Sequence, residues 1–558
     1  MRARVRDFFT VAVSPVPFNT RVRAQQRGGL MAIDFESAGY VNQRQLTVGE
    51  MLARIARTHG DTEAVVFGDL RYTYSEFDER VNMLANALAS RGIGKGDKVA
   101  QLFFNDLALL ESYFAVCKLG AVNVPLNYRL RGPEILYQLT DSESKLVVFG
   151  EEFATVLDEI RGQAPGVKFV CAGAGTPEFA DRYDELLASG AGCAPDVAVF
   201  DDDPAFIMYT SGTTGKPKGA VLTHKNQMMN VLNCTIELLM VIEALEQERV
   251  QFVAPLFHEA ALAFALVSVS WHATLCLLKF YEPEKVMSQI QEERITATLL
   301  VPAMTTFMLN TVDVSRYDAS MLRLYVTGAA ILPTETRKQI AAAFPNVKLF
   351  DVFGQTEMSP ATCIMKHGDA ERKTASVGRP VVNVEVRVVD DRDRDVPQGQ
   401  AGEIIYRGPT TMKEYYRKPE ETAETLRGGW FHSGDVVRRD EEGFVYVVDR
   451  KKDMIISGGE NIYPAEIEDV LYGHPKILEA AVIGVFDEKW GESVMAVVVL
   501  KPGEELSEED VVDWCSQNLA SYKKPRRVDF IEALPRNAAM KVLKYELREK
   551  YGKSVRYE

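Results

Sequence analysis

The stretch Thr210-Ser211-Gly212-Thr213-Thr214-Gly215-Lys216-Pro217-Lys218-Gly219 lies between two apolar runs, residues 205–209 and 220–223. It packs four hydroxyls, three glycines and two lysines into ten positions. Glycine lets backbone N–H groups approach phosphate oxygens, hydroxyls donate hydrogen bonds and lysines supply charge. The nearest general comparison is the phosphate loop GxxxxGK[ST]. Here only two residues separate Gly212 from Gly215, and Pro217 follows Lys216. Residues 220–223 then read as a strand, whereas the phosphate loop leads into a helix whose N-terminus holds the anion. The stretch therefore reads as a polyphosphate cradle between two strands and disfavours an ordinary P-loop nucleotidase.

Outward from this loop, short apolar runs alternate with amphipathic segments. Residues 99–104 read as a buried strand, 106–119 as a helix with Asp106 near its N-cap and Gly120 just past its end, and 121–124 as the next strand. The rhythm returns with helix 284–291, strand 297–300, a helix opened by Pro302, strand 324–327, helix 333–344 and strand 348–353. Strands separated by helices of this length imply βαβ units and parallel sheets, with ligands at the strand C-termini. From about residue 376 the texture becomes β-rich, with strands over 383–390 and 402–407 and a solvated hairpin tip over 390–395. After about residue 450 a smaller α+β unit follows, with helices over 464–472 and 508–518 and strands over 480–485 and 494–500. The expected fold is α/β: a large N-terminal domain (31–450) with parallel α/β sheets and a β-rich subdomain, then a small mobile C-terminal domain (451–558).

The chain has 558 residues, 26% of them charged and 46% hydrophobic, which is globular composition. A net charge of −15 argues against a nucleic-acid binder. Seven scattered cysteines with no CxxC pair argue against a disulfide framework or zinc ribbon and favour a reducing, cytoplasmic setting. Residues 1–30 carry six Arg against one acid and read as a disordered leader or an early-called start, with the working protein beginning at Met31. Residues 260–278 lack formal charge, but they contain Ser268, Ser270, His272 and Thr274 and read as a buried helix and strand, not a membrane span.

Residues 209–224, YTSGTTGKPKGAVLTH, resemble the signature of the adenylate-forming (AMP-binding) superfamily, which holds acyl-CoA synthetases and other acid-activating ligases. Further motifs follow in the family's order. Ala254-Pro255-Leu256-Phe257-His258 resembles the acyl-pocket motif. Thr327-Gly328-Ala329-Ala330 resembles the Gly-rich turn beside the nucleotide, and Phe353-Gly354-Gln355-Thr356-Glu357 the motif with the magnesium carboxylate. Trp430-Phe431-His432-Ser433-Gly434-Asp435 and Asp449-Arg450-Lys451-Lys452-Asp453 resemble the ribose and hinge motifs, and Ser457-Gly458-Gly459-Glu460-Asn461 and residues 535–544 complete the set.

The resemblance implies an ATP-dependent carboxylic acid–CoA ligase. A carboxylate attacks the α-phosphate of ATP, pyrophosphate leaves, and the thiol of coenzyme A displaces AMP from the acyl-adenylate. Because an anion attacks a polyanion, the remedy is aimed positive charge and N–H donors. The resemblance places Thr210, Ser211, Gly212, Thr213, Thr214, Gly215 and Lys216 on the phosphates, and Gly328, Ala329, Ala330, Phe353, Gly354, Gln355 and Thr356 beside the nucleotide. Glu357 and Thr210 would hold Mg²⁺, Asp435 and Arg450 the ribose, and Lys541 the reacting carboxylate and α-phosphate. The C-terminal domain would swing about Lys452 to present Gly458, Gly459 and Trp490 to CoA.

One motif departs from the family. The usual P-R-N-x-[ST]-G-K reads Pro535-Arg536-Asn537-Ala538-Ala539-Met540-Lys541. Where glycine marks a left-handed backbone position, Met540 would cost about 1–2 kcal/mol. Either the loop takes an ordinary conformation here or adenylation is slowed.

His258 stands where amino-acid-activating relatives carry an Asp, so an amino acid is disfavoured. The small and apolar surroundings, with His258, Val301, Ala329 and Met358 as the acyl pocket, suit a medium- or long-chain fatty acid or a benzoate- or cinnamate-like acid. A ligase for a carrier protein and a non-catalytic homologue remain alternatives, and a homodimer is allowed. Residues 521–558 hold 11 Lys/Arg against 5 Asp/Glu, which concentrates positive charge around Lys541.

Overall fold

The computed structural model describes residues 37–210, 216–239, 247–330, 332–450, 453–457, 460–487, 489–537 and 540–552. The expectations for the leader 1–30, for Ser211, Gly212, Thr213, Thr214 and Gly215, for the hinge Lys452 and for Gly458 and Gly459 lie outside these residues.

Among the described residues, the larger body holds two long sheets. One has eight strands in the order Glu414–Tyr415, Lys218–Thr223, Pro204–Thr210, Val122–Pro125, Lys98–Leu102, Ser144–Gly150, Lys168–Ala172 and Asp181–Arg182. The other has nine, running Arg379–Pro380, Ala361–Met365, Lys348–Gly354, Leu324–Gly328, Ala297–Leu299, Arg249–Phe252, Thr274–Leu277, Glu63–Phe67 and Leu70–Thr73.

Their centres are parallel, as the βαβ rhythm requires. At their margins each sheet adds antiparallel strands. Pro204–Thr210 pairs antiparallel with Lys218–Thr223, and Lys348–Gly354 pairs antiparallel with Ala361–Met365. Each antiparallel partner follows a connection too short for a crossover helix, which a parallel return requires. Both antiparallel turns carry candidate site residues.

The stretch over 260–278 resolves into helix Glu259–Ser270 and strand Thr274–Leu277. Helix Leu107–Lys118 is buried along its whole length and is capped by Asp106, whose carboxylate accepts from the Ala108 N–H at 2.9 Å. These two apolar helices lie within the largest hydrophobic cluster, which draws on both sheets. The β-rich region is an antiparallel sheet of Glu385–Val389, Gly402–Arg407, Phe431–Arg439 and Val445–Arg450.

The smaller C-terminal unit is α+β. Its long hairpin, Ile477–Asp487 with Gly491–Leu500, is flanked by Ile455–Ser457 and by the parallel strand Arg527–Phe530. Helices Pro464–Tyr472 and Glu508–Asn518 match the sequence reading, and Ser507 and Asp510 cap the second reciprocally. This unit meets the body at helix Thr334–Ala343, where the Thr334 N–H donates to Asp469 at 3.1 Å. No helix among the described residues is long and apolar enough to cross a membrane.

Candidate active site

Strand Pro204–Thr210 delivers Thr210 to the end of its antiparallel pair with Lys218–Thr223, and the 3₁₀ turn Thr356–Met358 delivers Glu357 opposite it. The Thr210 hydroxyl donates to Glu357 Oε1 at 3.3 Å, and the same oxygen accepts from the Tyr415 hydroxyl at 2.8 Å. Tyr415 sits on the edge strand that continues the hairpin. Burial, followed by the Glu357 charge, pushes its phenol well above the ordinary range, so it remains a donor. Lys218 lies over the Tyr415 ring, 5.5 Å from its centre, and Lys216 over the Tyr137 ring at 5.6 Å.

A carboxylate beside a hydroxyl is a hard oxygen donor set. It suits a cation that keeps waters and leans on phosphates. Among the described residues no group of three or more His, Cys, Asp and Glu could form a complete protein cage. The pair thus fits a shared Mg²⁺ site.

Two glycines are fixed by close backbone approach. A Cβ at Gly328 would lie 2.3 Å from the Val352 carbonyl oxygen, and one at Gly354 would lie 1.8 Å from that of Pro360. The first approach brings the 328–330 turn beside strand Lys348–Gly354, which carries Phe353 and Gly354 and leads through Gln355 into the 3₁₀ turn at Thr356. Ala329 itself is left-handed, with φ 64°.

Asp435 is 2% exposed. Gln355 donates to its Oδ2 through Nε2, and Arg450 Nε sits 3.1 Å from Oδ1. Arg450 is opposite Asp435 across the strand pair, so the ion pair follows from register.

His258 caps helix Glu259–Ser270, its Nδ1 accepting from the Ala260 N–H at 3.2 Å. Burial, aided by the nearby Lys541 ammonium, lowers its pKa to about 4. The ring is therefore neutral near pH 7, and with Nδ1 accepting, Nε2 carries the proton and is a donor. The Lys541 ammonium therefore lies within electrostatic reach of His258. The loop behind Lys541 is tightly closed: the Lys541 N–H donates to Asn537 Oδ1 at 2.9 Å, and the Asn537 N–H to the Lys541 carbonyl at 2.9 Å. Arg129 of the body donates to the Asn537 carbonyl at 3.1 Å.

The four residues expected to line an acyl pocket do not share one environment. Val301 and Ala329 belong to one hydrophobic cluster, whereas Met358 has no exposed surface and packs in the other, larger one. Trp490 stands apart in the C-terminal hairpin turn, its ring 4.8 Å from Lys489 Nζ and 5.3 Å from the Arg526 guanidinium.

Tyr415 and Arg129 were not singled out from sequence. Tyr415 reaches Glu357 from 58 positions away, and only the edge-strand pairing makes them neighbours.

Residues 52–416 match the model of the AMP-binding enzyme family, and residues 466–541 that of the AMP-binding enzyme C-terminal domain. The chain belongs to the AMP-binding enzyme family. It is an ATP- and CoA-dependent acid–CoA ligase that works through an acyl-adenylate, with Mg²⁺ as the accompanying cation. It is 40% identical over 512 residues to a long-chain-fatty-acid–CoA ligase of Mycobacterium tuberculosis, covering 91% of this chain and 99% of the relative. It is 39% identical to a feruloyl-CoA synthase of an Amycolatopsis species, covering 91% of this chain and all of the relative. Among solved structures, the anthranilate–CoA ligase AuaEII with anthranoyl-AMP superposes with a TM-score of 0.85 at 27% identity, covering 91% of this chain and 97% of the other.

Proposed function

We propose that this ligase activates an apolar monocarboxylic acid, a medium- or long-chain fatty acid, as its CoA thioester. The observation that carries this reading is that Lys541, within electrostatic reach of the neutral His258, directly follows Met540, which packs against an apolar cluster that includes Val301, Met304 and Ala329. A carboxylate head finds a cation and an N–H donor there, and its tail finds apolar contacts.

Lys541 sits between the acid and the α-phosphate and offsets the charge that builds as they approach. His258 Nε2–H orients the attacking carboxylate. Glu357 and Thr210 would hold Mg²⁺, which would supply positive charge to the phosphate oxygens. Tyr415 fixes the Glu357 carboxylate from behind. Residues 210–216 cradle the β- and γ-phosphates, and Gly328, Ala329, Ala330, Phe353, Gly354, Gln355 and Thr356 frame the nucleotide. Asp435 accepts the ribose hydroxyls, with Gln355 and Arg450 holding its carboxylate in place. Gly458, Gly459 and Trp490 meet CoA after the C-terminal unit turns about Lys452.

The aryl-acid reading is favoured by the small side chains Ala260 and Ala329 and by the feruloyl and anthranilate relatives. Pyrophosphate release with a panel of acids, with and without CoA, decides between them. Turnover highest with acids of eight or more carbons supports the fatty-acid reading, and preference for cinnamates or benzoates overturns it. Release without thioester formation would point to a carrier-protein acceptor. We place the reaction in the cytoplasm, where a reducing pool maintains the seven free thiols. The acidic surface gives nucleic acid no footing.

A further inference from the structure

The described apolar side chains sort cleanly by unit. The clusters of the larger body draw on residues before 451, and those of the C-terminal unit on residues after 453, with one exception. Met540 packs against the body's cluster built on Val301, Met304, Tyr325, Leu332 and Phe344. Among the described residues it is the one apolar side chain of the C-terminal unit in a cluster of the body.

Its backbone shows that the placement is costly. Met540 has φ 61°, a left-handed conformation that any residue with a Cβ enters against a steric penalty. The loop imposes it. The Met540 N–H donates to the Asn537 carbonyl at 2.9 Å, and the Arg536 guanidinium donates to the Met540 carbonyl. Glycine, which the family pattern carries at this position, would occupy it without penalty and reach nothing. Methionine takes the penalty and reaches the neighbouring unit. Two hydrogen bonds at this boundary, Arg129 to Asn537 and Thr334 to Asp469, are solvent-exposed and contribute little. A third, from the Ala465 N–H to Asp449 Oδ2 at 3.4 Å, is partly buried but lies at the junction between the units, far in sequence from Lys541. Met540 supplies the apolar contact next to Lys541.

We propose that Met540 is an interdomain latch: its seat in the body's apolar cluster holds the C-terminal unit where Lys541 stands beside His258. It is a positioning residue that acts through Lys541, and its catalytic consequence rests on the role given to Lys541 above.

Hydrogen exchange on the full-length chain without substrates reads the latch directly. Met540→Ala keeps the backbone penalty and loses the contact, so amides of residues 536–543 should exchange about tenfold faster, with protection restored in Met540→Leu. Strand Ile477–Asp487, in the core of the same unit, should exchange as before. Unchanged exchange at 536–543, or faster exchange in that strand as well, overturns the proposal. In activity, Met540→Ala should slow pyrophosphate release about tenfold for every acid used while leaving thioester formation from supplied acyl-adenylate intact. Equal loss in both steps, or a loss that depends on the acid, overturns it. If the wild-type chain released no pyrophosphate with any acid, the proposed function would fail, and the exchange measurement would still judge the latch.

Discussion

Tyr415→Phe removes one oxygen atom and leaves the ring, its 7% exposure and its place under Lys218 essentially as they are. What is lost is the 2.8 Å hydrogen bond to Glu357 Oε1, leaving that oxygen with the 3.3 Å bond from Thr210. A hydrogen bond to a charged acceptor is worth about 1.5–3 kcal/mol, and the remaining Thr210 donor brings the expected loss to about 1–2 kcal/mol. That is a factor of about 5–30 in an equilibrium constant, near the 10–100-fold typical of residues that support a metal ligand. The assay is pyrophosphate release titrated with Mg²⁺ at fixed ATP. The half-saturating Mg²⁺ concentration should rise about 5–30-fold, while the rate at saturating Mg²⁺ falls by no more than about threefold. An unchanged Mg²⁺ dependence would refute the reasoning. So would a large loss of rate at saturating Mg²⁺, because Tyr415 would then act on something other than the cation.

Lys541→Ala should reduce acid-dependent pyrophosphate release by about a hundredfold or more and leave thioester formation from supplied acyl-adenylate nearly intact; parallel losses would contradict its place beside the reacting carboxylate. Glu259 is 1% exposed, with Oε1 accepting from Gln227 and Oε2 unpartnered, and burial pushes its pKa up to about 8. Between about 4.5 and 8 the folded chain holds a proton that the unfolded chain has released, so this group's stabilisation is complete below that window and lost as pH rises through it. Glu259→Gln should therefore flatten the fall in denaturant stability between pH 5 and pH 9 by several kcal/mol, and an unaltered slope would count against a protonated Glu259. Gly328→Ala drives a Cβ towards the Val352 carbonyl and should cost about 1–3 kcal/mol, seen as a lower urea midpoint; an unchanged midpoint would mean that the two strands can part without penalty.

Local chemistry made much of this legible in advance. The hydroxyl- and glycine-rich loop pointed to a chain that uses ATP, and capping residues and periodicity located helices such as Pro464–Tyr472 and Glu508–Asn518. The residues that link one motif to another were not legible. Tyr415 lies in an unremarkable run and becomes important only through strand pairing with the loop hairpin. The ion pair between Arg450 and Asp435 depends on sheet register, which no spacing in the sequence specifies. The absence of glycine before Lys541 raised two outcomes, and sequence had no means of choosing between an ordinary backbone and a left-handed one. The antiparallel margins escaped for a related reason: a buried apolar run has the same composition whichever way its neighbour runs.

On the ribose role proposed above, Asp435 meets its ligand already held. With Gln355 on one oxygen and Arg450 near the other, it is not a bare acceptor waiting for donors. Its remaining lone pairs can receive both hydroxyls of a nucleotide sugar while Gln355 and Arg450 stay where they are. The acceptor is fixed before the sugar arrives, so little ordering is left to binding. Discrimination between ribose and deoxyribose would then rest on one charge-assisted hydrogen bond to a carboxylate that does not move.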